Sequence, residues 1–519
     1  MTQIPAPTFE WLELAPVLVV LVAACVGILL EALLRRESRF LAQIVVAEVG
    51  LLAALVFAVA NWREGRIGSL AMGSVSLDGP AYLSWTALLV FGLLALSVFA
   101  ERNLNDGASS FVASAASIPG SRHEREASAA GHEHSEVFPL ALFSLAGMMV
   151  FTASGDLLTM FVALEVMSLP LYLLSGLARQ RRLLSHESAL KYFLLGSFAS
   201  AFFLFGMALL YGYAGSFDIA ALNQAVSAPL LGRGFLYAGM GLLAVGLLFK
   251  IGVVPFQSWV PDVYTGAPTP VTGFMAICTK LAALVGLARV FFVALGGERW
   301  TWQPVLAVLA VLTMAVGVVL ALTQTDIKRL LAYSAISHAG FLLTAVVGAY
   351  QEVGSGQVNS FGAIAFYLIA YGFSTIAAFA VVTMVRNESG EATRLSDWAG
   401  LAKRNPWLAS AFAVLLLSFA GIPLTGGFIG KWAVFASAWA GGFEWLAITG
   451  VAFSLVAAYF YLKVIVAMFF LEPAEGVEVG RASAFTIAPI AVGVAATVYL
   501  GLFPGPVMDL IAAAQVFAR

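Results

Sequence analysis

The chain has 519 residues, 61% of them hydrophobic and 11% charged, with a mean hydropathy of +0.93. An ordinary soluble domain carries about a quarter charged residues, so the composition excludes a soluble enzyme and describes an integral membrane protein. The net charge of -2 decides little, because in a membrane protein the placement of charge matters more than its sum.

Apolar runs long enough to span a bilayer, about 20 residues each, recur almost from end to end. They predict fourteen helices, at 14-34, 41-60, 81-100, 137-154, 156-177, 188-213, 235-258, 268-294, 303-323, 328-350, 359-385, 407-438, 443-470 and 485-506. The first run follows Glu10 and Glu13 and precedes Arg35, the first basic residue, so it lacks the basic leader of a cleavable signal and is expected to stay. Cys25 and Cys278 stand in separate apolar runs with no C-x-x-C, which argues against a cysteine-ligated iron-sulfur cluster and against disulfides.

Basic residues concentrate in cytoplasmic loops. Of the 27 Lys and Arg, sixteen fall in loops leading from an odd to an even helix, while five, Arg63, Arg66, Arg233, Arg299 and Arg519, fall on the other side. Both termini are therefore predicted to face away from the cytoplasm. The longest polar interruption, 101-136, is rich in Ala, Ser and Gly and reads as a solvated connector; its His123, His132 and His134 offer a weaker reading as metal ligands.

The six remaining basic residues, Lys191, Lys250, Lys280, Arg289, Lys431 and Lys463, lie within apolar spans. A lysine at the centre of a membrane helix costs roughly 2.5 to 3.5 kcal/mol, so each must be paired, hydrated or functional. Arg289 is near a span end and can snorkel. Lys191 follows Glu187 at helical i,i+4 spacing, which leaves an ion pair and a proton site both open. Lys463 stands about two turns from its helix end, where snorkelling is also open. Glu165 sits in DLLTMFVALEVMSLPLYLLSGL with no base in that stretch, so its partner comes from another helix. Lys250 precedes Gly252 and Pro255, and Lys431 follows Gly421 and Pro423. Proline and glycine interrupt the backbone ladder, and carbonyls freed at membrane depth persist inside protein or beside water. Broken helices with ionisable residues beside the break are the plan of transporter sites. His338, about three turns into its span, is either a packing residue or a proton relay, and Glu48 in the second helix is either a conduit or a partner contact.

Other signals are weaker. The G-x-G-x-x-A of YAGMGLLA lies inside an apolar helix and not after a strand, so helix packing explains it. No Walker lysine motif and no H-E-x-x-H occurs.

FKIGVVPFQSWVPD and SFAGIPLTGGFIGK each carry a glycine-proline break and one lysine, five helices apart. An odd offset reverses direction through the membrane, so an all-α polytopic protein with two inverted five-helix repeats is predicted. The divisions are 1-136 (three helices and the polar loop), 137-294 (first repeat), 303-470 (second repeat) and 471-519 (last helix).

VPFQSWVPDVYTGAPTPVTGF, DIKRLLAYSAISHAGF and LSFAGIPLTGGFIGKW closely resemble the subunit N family of bacterial respiratory complex I, the proton-pumping NADH:quinone oxidoreductase. The resemblance implies a fourteen-helix fold in which each repeat holds half a proton channel. By it, Glu165 matches the carboxylate of the fifth helix, Lys250 the lysine of the broken seventh that pairs with it, Lys280 the connecting lysine of the eighth, His338 a central histidine of the tenth, and Lys431 the lysine of the broken twelfth. With Lys191 and Lys463 these form the expected proton relay. A lysine at 431, where subunit M and some antiporter relatives carry glutamate, and the run PDVYTGAPTP favour this subunit; the long 101-136 loop departs from the family. The resemblance further implies the bacterial plasma membrane, other membrane-arm subunits as partners, the neighbouring antiporter-like one above all, and no nucleic acid. NADH, FMN, iron-sulfur clusters and quinone are expected in partner subunits, with no cofactor or metal on this chain. A subunit of a multi-subunit cation/proton antiporter is the alternative, and a purely structural subunit is a third.

Overall fold

The computed structural model describes residues 10–518 except 106, 120, 131, 228–231, 351–357 and 389. Arg519, used above for orientation, lies outside the described residues. In chain order the helices are α1 (Trp11–Leu33), α2 (Arg36–Arg63), α3 (Gly79–Phe99), α4 (Arg122–Ala129), α5 (Val137–Thr152), α6 (Leu157–Ser175) and α7 (Arg182–Ala214). They continue with α8 (Ile219–Ser227), α9 (Gly234–Ile251), α10 (Trp259–Gly266), α11 (Thr269–Ala288, prolonged by a π-turn to Ala294), α12 (Arg299–Leu322), α13 (Ile327–Gly348) and α14 (Ser360–Met384). The last are α15 (Leu401–Arg404), α16 (Pro406–Ala420), α17 (Gly426–Ala440), α18 (Glu444–Phe470), α19 (Ala484–Leu502) and α20 (Gly505–Ala514). Polar residues set many of the starts: Asp78, Asp156, Asp326, Asn359, Asn405 and Ser483 each accept a backbone N–H of the first turn that follows them.

Twelve helices among the described residues are long and apolar enough to cross a membrane. They account for twelve of the fourteen predicted spans. The other two are shorter: 137-154 is the 16-residue α5, and 407-438 is divided into α16 and α17, of 15 residues each. The span predicted as 235-258 likewise stops at Ile251, and α10 resumes at Trp259.

The two breaks are built alike. Gly252 and Gly421 adopt left-handed φ of 83° and 81°, a conformation open to glycine because it lacks a Cβ. Each closes its helix with the same pair of bonds: the amides of Gly252 and Val253 donate to Leu248 O, and those of Gly421 and Ile422 to Leu417 O, all at 3.0 Å.

A second motif also recurs. Ahead of α6, Leu157 N donates to Phe217 O and Ile219 N to Gly155 O; ahead of α13, Ile327 N donates to Thr393 O and Leu395 N to Thr325 O. The first copy touches the hairpin of β1 (Gly68–Leu70) and β2 (Val75–Leu77), through Gly155 N to Ser74 O. The second lies beside the sheet of β3 (Val385–Asn387), β4 (Gly390–Glu391) and β5 (Val477–Val479), on the side of the odd-to-even loops. One motif at opposite ends of the molecule is what an inverted repeat produces.

Both ends of the described chain sit at the β1–β2 end. Arg66 meets Glu13 at 2.7 Å, and the Ala518 amide donates to Asp78. The loops holding most basic residues gather at the other end, where β3 pairs with β5 and Arg181 reaches Thr393. Helices α11, α13 and α14 form the core: the most apolar stretch of α11 is 100% buried, against 28% in α18. The centre of the fold is therefore where an ionisable group costs most and where a function for it has to be sought.

The 101-136 segment is more than a solvated connector. Arg102 pairs with Glu133, and the Ser109 amide donates to Glu133. Val112 N and Arg179 N bond residues 110 and 177 into a short ladder, and the buried Arg182 pairs with Glu124 at 3.0 Å. The loop caps the junction of α6 and α7.

Candidate functional site

Lys250, Lys280, His338 and Lys431 are each 4% exposed or less, and they stand on α9, α11, α13 and α17. Glu165, on α6, is half-buried beside the outward-facing Val162 and Leu169. Its Oε1 has no hydrogen-bond partner among the described residues. It is close enough to act electrostatically on Lys250 and on Tyr172, yet no ion pair joins it to Lys250 among the described residues.

Tyr172 stands between them. Two helical turns separate it from Glu165 on α6, which places both on one face. Lys250 Nζ donates to Tyr172 Oη at 3.3 Å and lies 5.2 Å and 5.3 Å from the ring centres of Tyr172 and Tyr192. Trp259, stacked on Tyr192 at 4.6 Å, donates its indole N–H to Phe249 O and so covers the carbonyls freed by the break. Lys250 is held by aromatic faces and a hydroxyl.

Lys280 donates to Ala335 O of α13 and lies 5.5 Å from the Tyr371 ring centre. Tyr371 also packs against the His338 ring, at 4.6 Å. His338 Nδ1 is 2.5 Å from Tyr367 Oη and its Nε2 is 3.1 Å from Tyr461 Oη, which in turn bonds Ser334. Beside His338 lies a cavity of ≈ 10 Å³ bounded by Ser418, Phe419 and Gly427, at the lower limit of what one water needs.

Lys431 is bound differently. Its ammonium donates to Phe419 O at 2.8 Å, Ala420 O at 2.9 Å and Ser454 Oγ at 2.8 Å. Those carbonyls are the unpaired end of α16, where the helix dipole favours a cation. The break thus makes the site that receives the lysine.

Arg289 shows what a structural ion in this fold looks like. It is 2% exposed, donates to both carboxylate oxygens of Asp78 at 2.8 and 2.9 Å, and donates to Thr152 O. Lys250, Lys280 and Lys431 have no such carboxylate among the described residues. The fold gives Arg289 a bidentate carboxylate and leaves Lys250, Lys280 and Lys431 to hydroxyls, carbonyls and ring faces.

Lys191 and Lys463 do not join this group. The Lys191 side chain is 40% exposed and pairs with Glu187 and Asp262, and Asp262 also receives Arg329. Lys463 is exposed on α18 among Tyr459, Leu462 and Val466. Glu48 accepts from Ser97 at 3.1 Å between α2 and α3, away from the other sites. Two of the three loop histidines serve separate contacts: His132 Nε2 accepts from Arg36, while His134 bonds Glu136 and the Ala115 amide.

What sequence reasoning missed is the hydroxyls. Tyr172, Tyr367, Tyr461 and Ser454 contact the titratable groups directly. A tyrosine in an apolar helix is ordinary, and only the spacing of Tyr172 from Glu165 could have pointed to one of them.

The family described as NADH:quinone oxidoreductase/Mrp antiporter, transmembrane, matches residues 154–457. Among curated relatives, NADH-quinone oxidoreductase subunit N of Nocardioides sp. is 51% identical, over 99% of both chains. The same subunit of Cutibacterium acnes is 49% identical, over 100% of this chain and 97% of its own. A chain of respiratory complex I from Thermus thermophilus is 32% identical and superimposes with a TM-score of 0.77, covering 96% of this chain and 99% of its own. A chain of the Mrp complex from Dietzia sp., 24% identical over 97% of both chains, shares the fold with a TM-score of 0.79.

Proposed function

The chain belongs to the NADH-quinone oxidoreductase subunit N family, and on that premise we propose that it is a proton-translocating membrane-arm subunit whose relay runs through Glu165, Lys250, Lys280, His338 and Lys431. The observation that carries this assignment is that Lys250 and Lys431, at the two helix breaks, and Lys280, on the central α11, are buried without a carboxylate ion pair among the described residues, in a fold that gives Arg289 a bidentate one. Burial favours the neutral amine and a nearby carboxylate favours the ammonium, so a buried lysine whose carboxylate moves becomes a proton donor.

Glu165 supplies the movable charge. It stands beside the outward-facing Val162 and Leu169, and its buried Oε1 has no hydrogen-bond partner among the described residues. A carboxylate turned inward attracts the ammonium of Lys250 past the Tyr172 hydroxyl; drawn outward, it removes that attraction and frees the proton toward Lys280. Moving one charge against about 100 mV costs about 2.3 kcal/mol, within the range of a single charge-assisted hydrogen bond, roughly 1.5 to 3 kcal/mol. His338, held between the Tyr367 and Tyr461 hydroxyls, can take a proton on one ring nitrogen and give one from the other. Lys431, its ammonium satisfied by carbonyls and Ser454, is the last station.

The redox chemistry, with its NADH, FMN, iron-sulfur clusters and quinone, resides in partner subunits, and this chain is a non-redox part of the translocase. Lys191 and Lys463 are left out of the relay, the first because it is neutralised in an exposed network and the second because it faces outward. The subunit lies in the bacterial plasma membrane with both termini on the non-cytoplasmic side; the gathering of the basic loops at one end and of both termini at the other supports that orientation.

Lys250→Ala is expected to abolish or sharply reduce proton pumping coupled to NADH oxidation in the assembled enzyme. A normal number of protons per NADH in that variant would sink the relay. The alternative, a cation/proton antiporter subunit, is favoured by the shared Mrp fold, and sodium-dependent transport by the chain without NADH would establish it.

A further inference from the structure

At the basic end four cationic side chains converge. Arg179 and Arg181 lie just before α7, Lys328 is in the first turn of α13, and Arg386 is in β3. Together with Asn105, Thr269 and Glu391 they line a cavity of ≈ 40 Å³. Glu391 is the one carboxylate in that lining, and its Oε2 already accepts from Thr269. The lining therefore carries an excess of three positive charges. Around it, Glu133 is paired to Arg102 at 2.9 Å, and Asp326 caps α13 through the Arg329 amide.

The cations are held but not neutralised. Arg179 Nε donates to Ser109 O at 2.7 Å, while its Nη2 is buried with no partner among the described residues. Lys328 is 3% exposed and donates to Ala267 O at 2.9 Å, one acceptor for three protons. Arg386 donates to Asn105, and Arg181 to Thr393 and to Glu391 O. Burial pulls the Arg179 guanidinium below its ordinary value, more than the charge of Glu133 raises it. A guanidinium nitrogen buried without an acceptor is costly unless one is supplied, and an anion supplies it best.

We propose that this cavity binds a phosphate-type oxyanion, held by Arg179, Lys328 and Arg386 with Arg181 at its rim. Its volume is roughly three times the ~10–15 Å³ that one water needs, which suits a phosphate group and not a whole nucleotide. Arg179 and Arg181 belong to the first repeat and Lys328 and Arg386 to the second, so the anion adds to the Arg181–Thr393, Thr269–Glu391 and Lys328–Ala267 bonds that join the two there. The same chemistry is offered by inorganic phosphate and by the headgroup of an anionic phospholipid. The site is independent of the relay, and pumping is not its readout.

The test uses the assembled enzyme in phosphatidylcholine nanodiscs in phosphate-free buffer, following the temperature at which this subunit dissociates. Inorganic phosphate is titrated in one arm, and phosphatidylglycerol replaces part of the lipid in the other. A rise with phosphate identifies a free anion, and a rise with phosphatidylglycerol alone identifies a headgroup. In either case Arg179→Gln and Arg386→Gln should weaken the effect roughly tenfold or more, the loss expected for one charge-assisted hydrogen bond, while the exposed Arg125→Gln should not. Arg386→Lys, which keeps the charge, covers the case in which the glutamine variants fail to assemble. No rise with either probe in the unmodified enzyme, or a rise as large in the Arg179 and Arg386 variants, overturns the proposal.

Discussion

Lys431 and Lys250 are both buried lysines at helix breaks, but their surroundings differ in a way that bears on their roles. Lys431 has three oxygen acceptors at 2.8 to 2.9 Å, whereas Lys250 has a single tyrosine hydroxyl at 3.3 Å. Lys250 is the less firmly held and the one beside a carboxylate, as a gated donor should be. Arg289 and Asp78 lie at the other extreme: removing one partner of a buried pair leaves an uncompensated charge and costs about 3–5 kcal/mol. Asp78→Ala should therefore deplete this subunit from the purified enzyme, measured by its abundance, and Arg289→Met in the same chain should recover part of it. The ionisable residues were legible because a charge in an apolar run is conspicuous. Which way each one faces was not, since Lys463 looks in sequence much like Lys280 and yet stands on the outside of α18.

The breaks belong to the scale of elements. The glycine-proline pairs announced them, but not that each would close with the same left-handed cap, because that depends on which carbonyl the next amides reach. At Gly421 a Cβ would stand 2.8 Å from Lys431 Cδ, while at Gly442, also left-handed with φ +84°, it would meet nothing within 4 Å. Backbone strain, about 1–2 kcal/mol for a left-handed residue, is thus common to Gly421→Ala and Gly442→Ala. Protons pumped per NADH should fall in the first variant and stay normal in the second. The 101-136 loop was the element least legible, since small and mixed-charge residues read as solvated while their contacts come from distant segments. Its attachment includes Glu136: burial pushes this carboxyl up, but the His134 and backbone hydrogen bonds outweigh burial and hold it below the usual carboxylate range. A depressed carboxyl stabilises above its unfolded value and loses that contribution as pH falls through its folded one. Amide protection in the segment around His134, taken relative to the intrinsic exchange rate at each pH, should therefore be steady near neutrality and fall in acid, and Glu136→Gln should remove that dependence.

Across the whole molecule, the two breaks hold Lys250 and Lys431 in the interior, and Lys280 and His338 are buried on the central helices α11 and α13. The five-helix offset was readable from two rhyming segments. The hydrogen-bond motif at Asp156 and Asp326 that marks the two senses was not, because its partners lie about 60 to 70 residues away in sequence. In the proposed relay, position and not residue type separates Lys250, Lys280 and Lys431 from Lys191 and Lys463. The most direct measurement is the number of protons pumped per NADH oxidised by the assembled enzyme in proteoliposomes, compared between Lys280→Ala and Lys463→Ala. The buried relay predicts a lowered ratio for Lys280→Ala and an unchanged one for Lys463→Ala; an unchanged ratio in the first, or an equal loss in both, would contradict it.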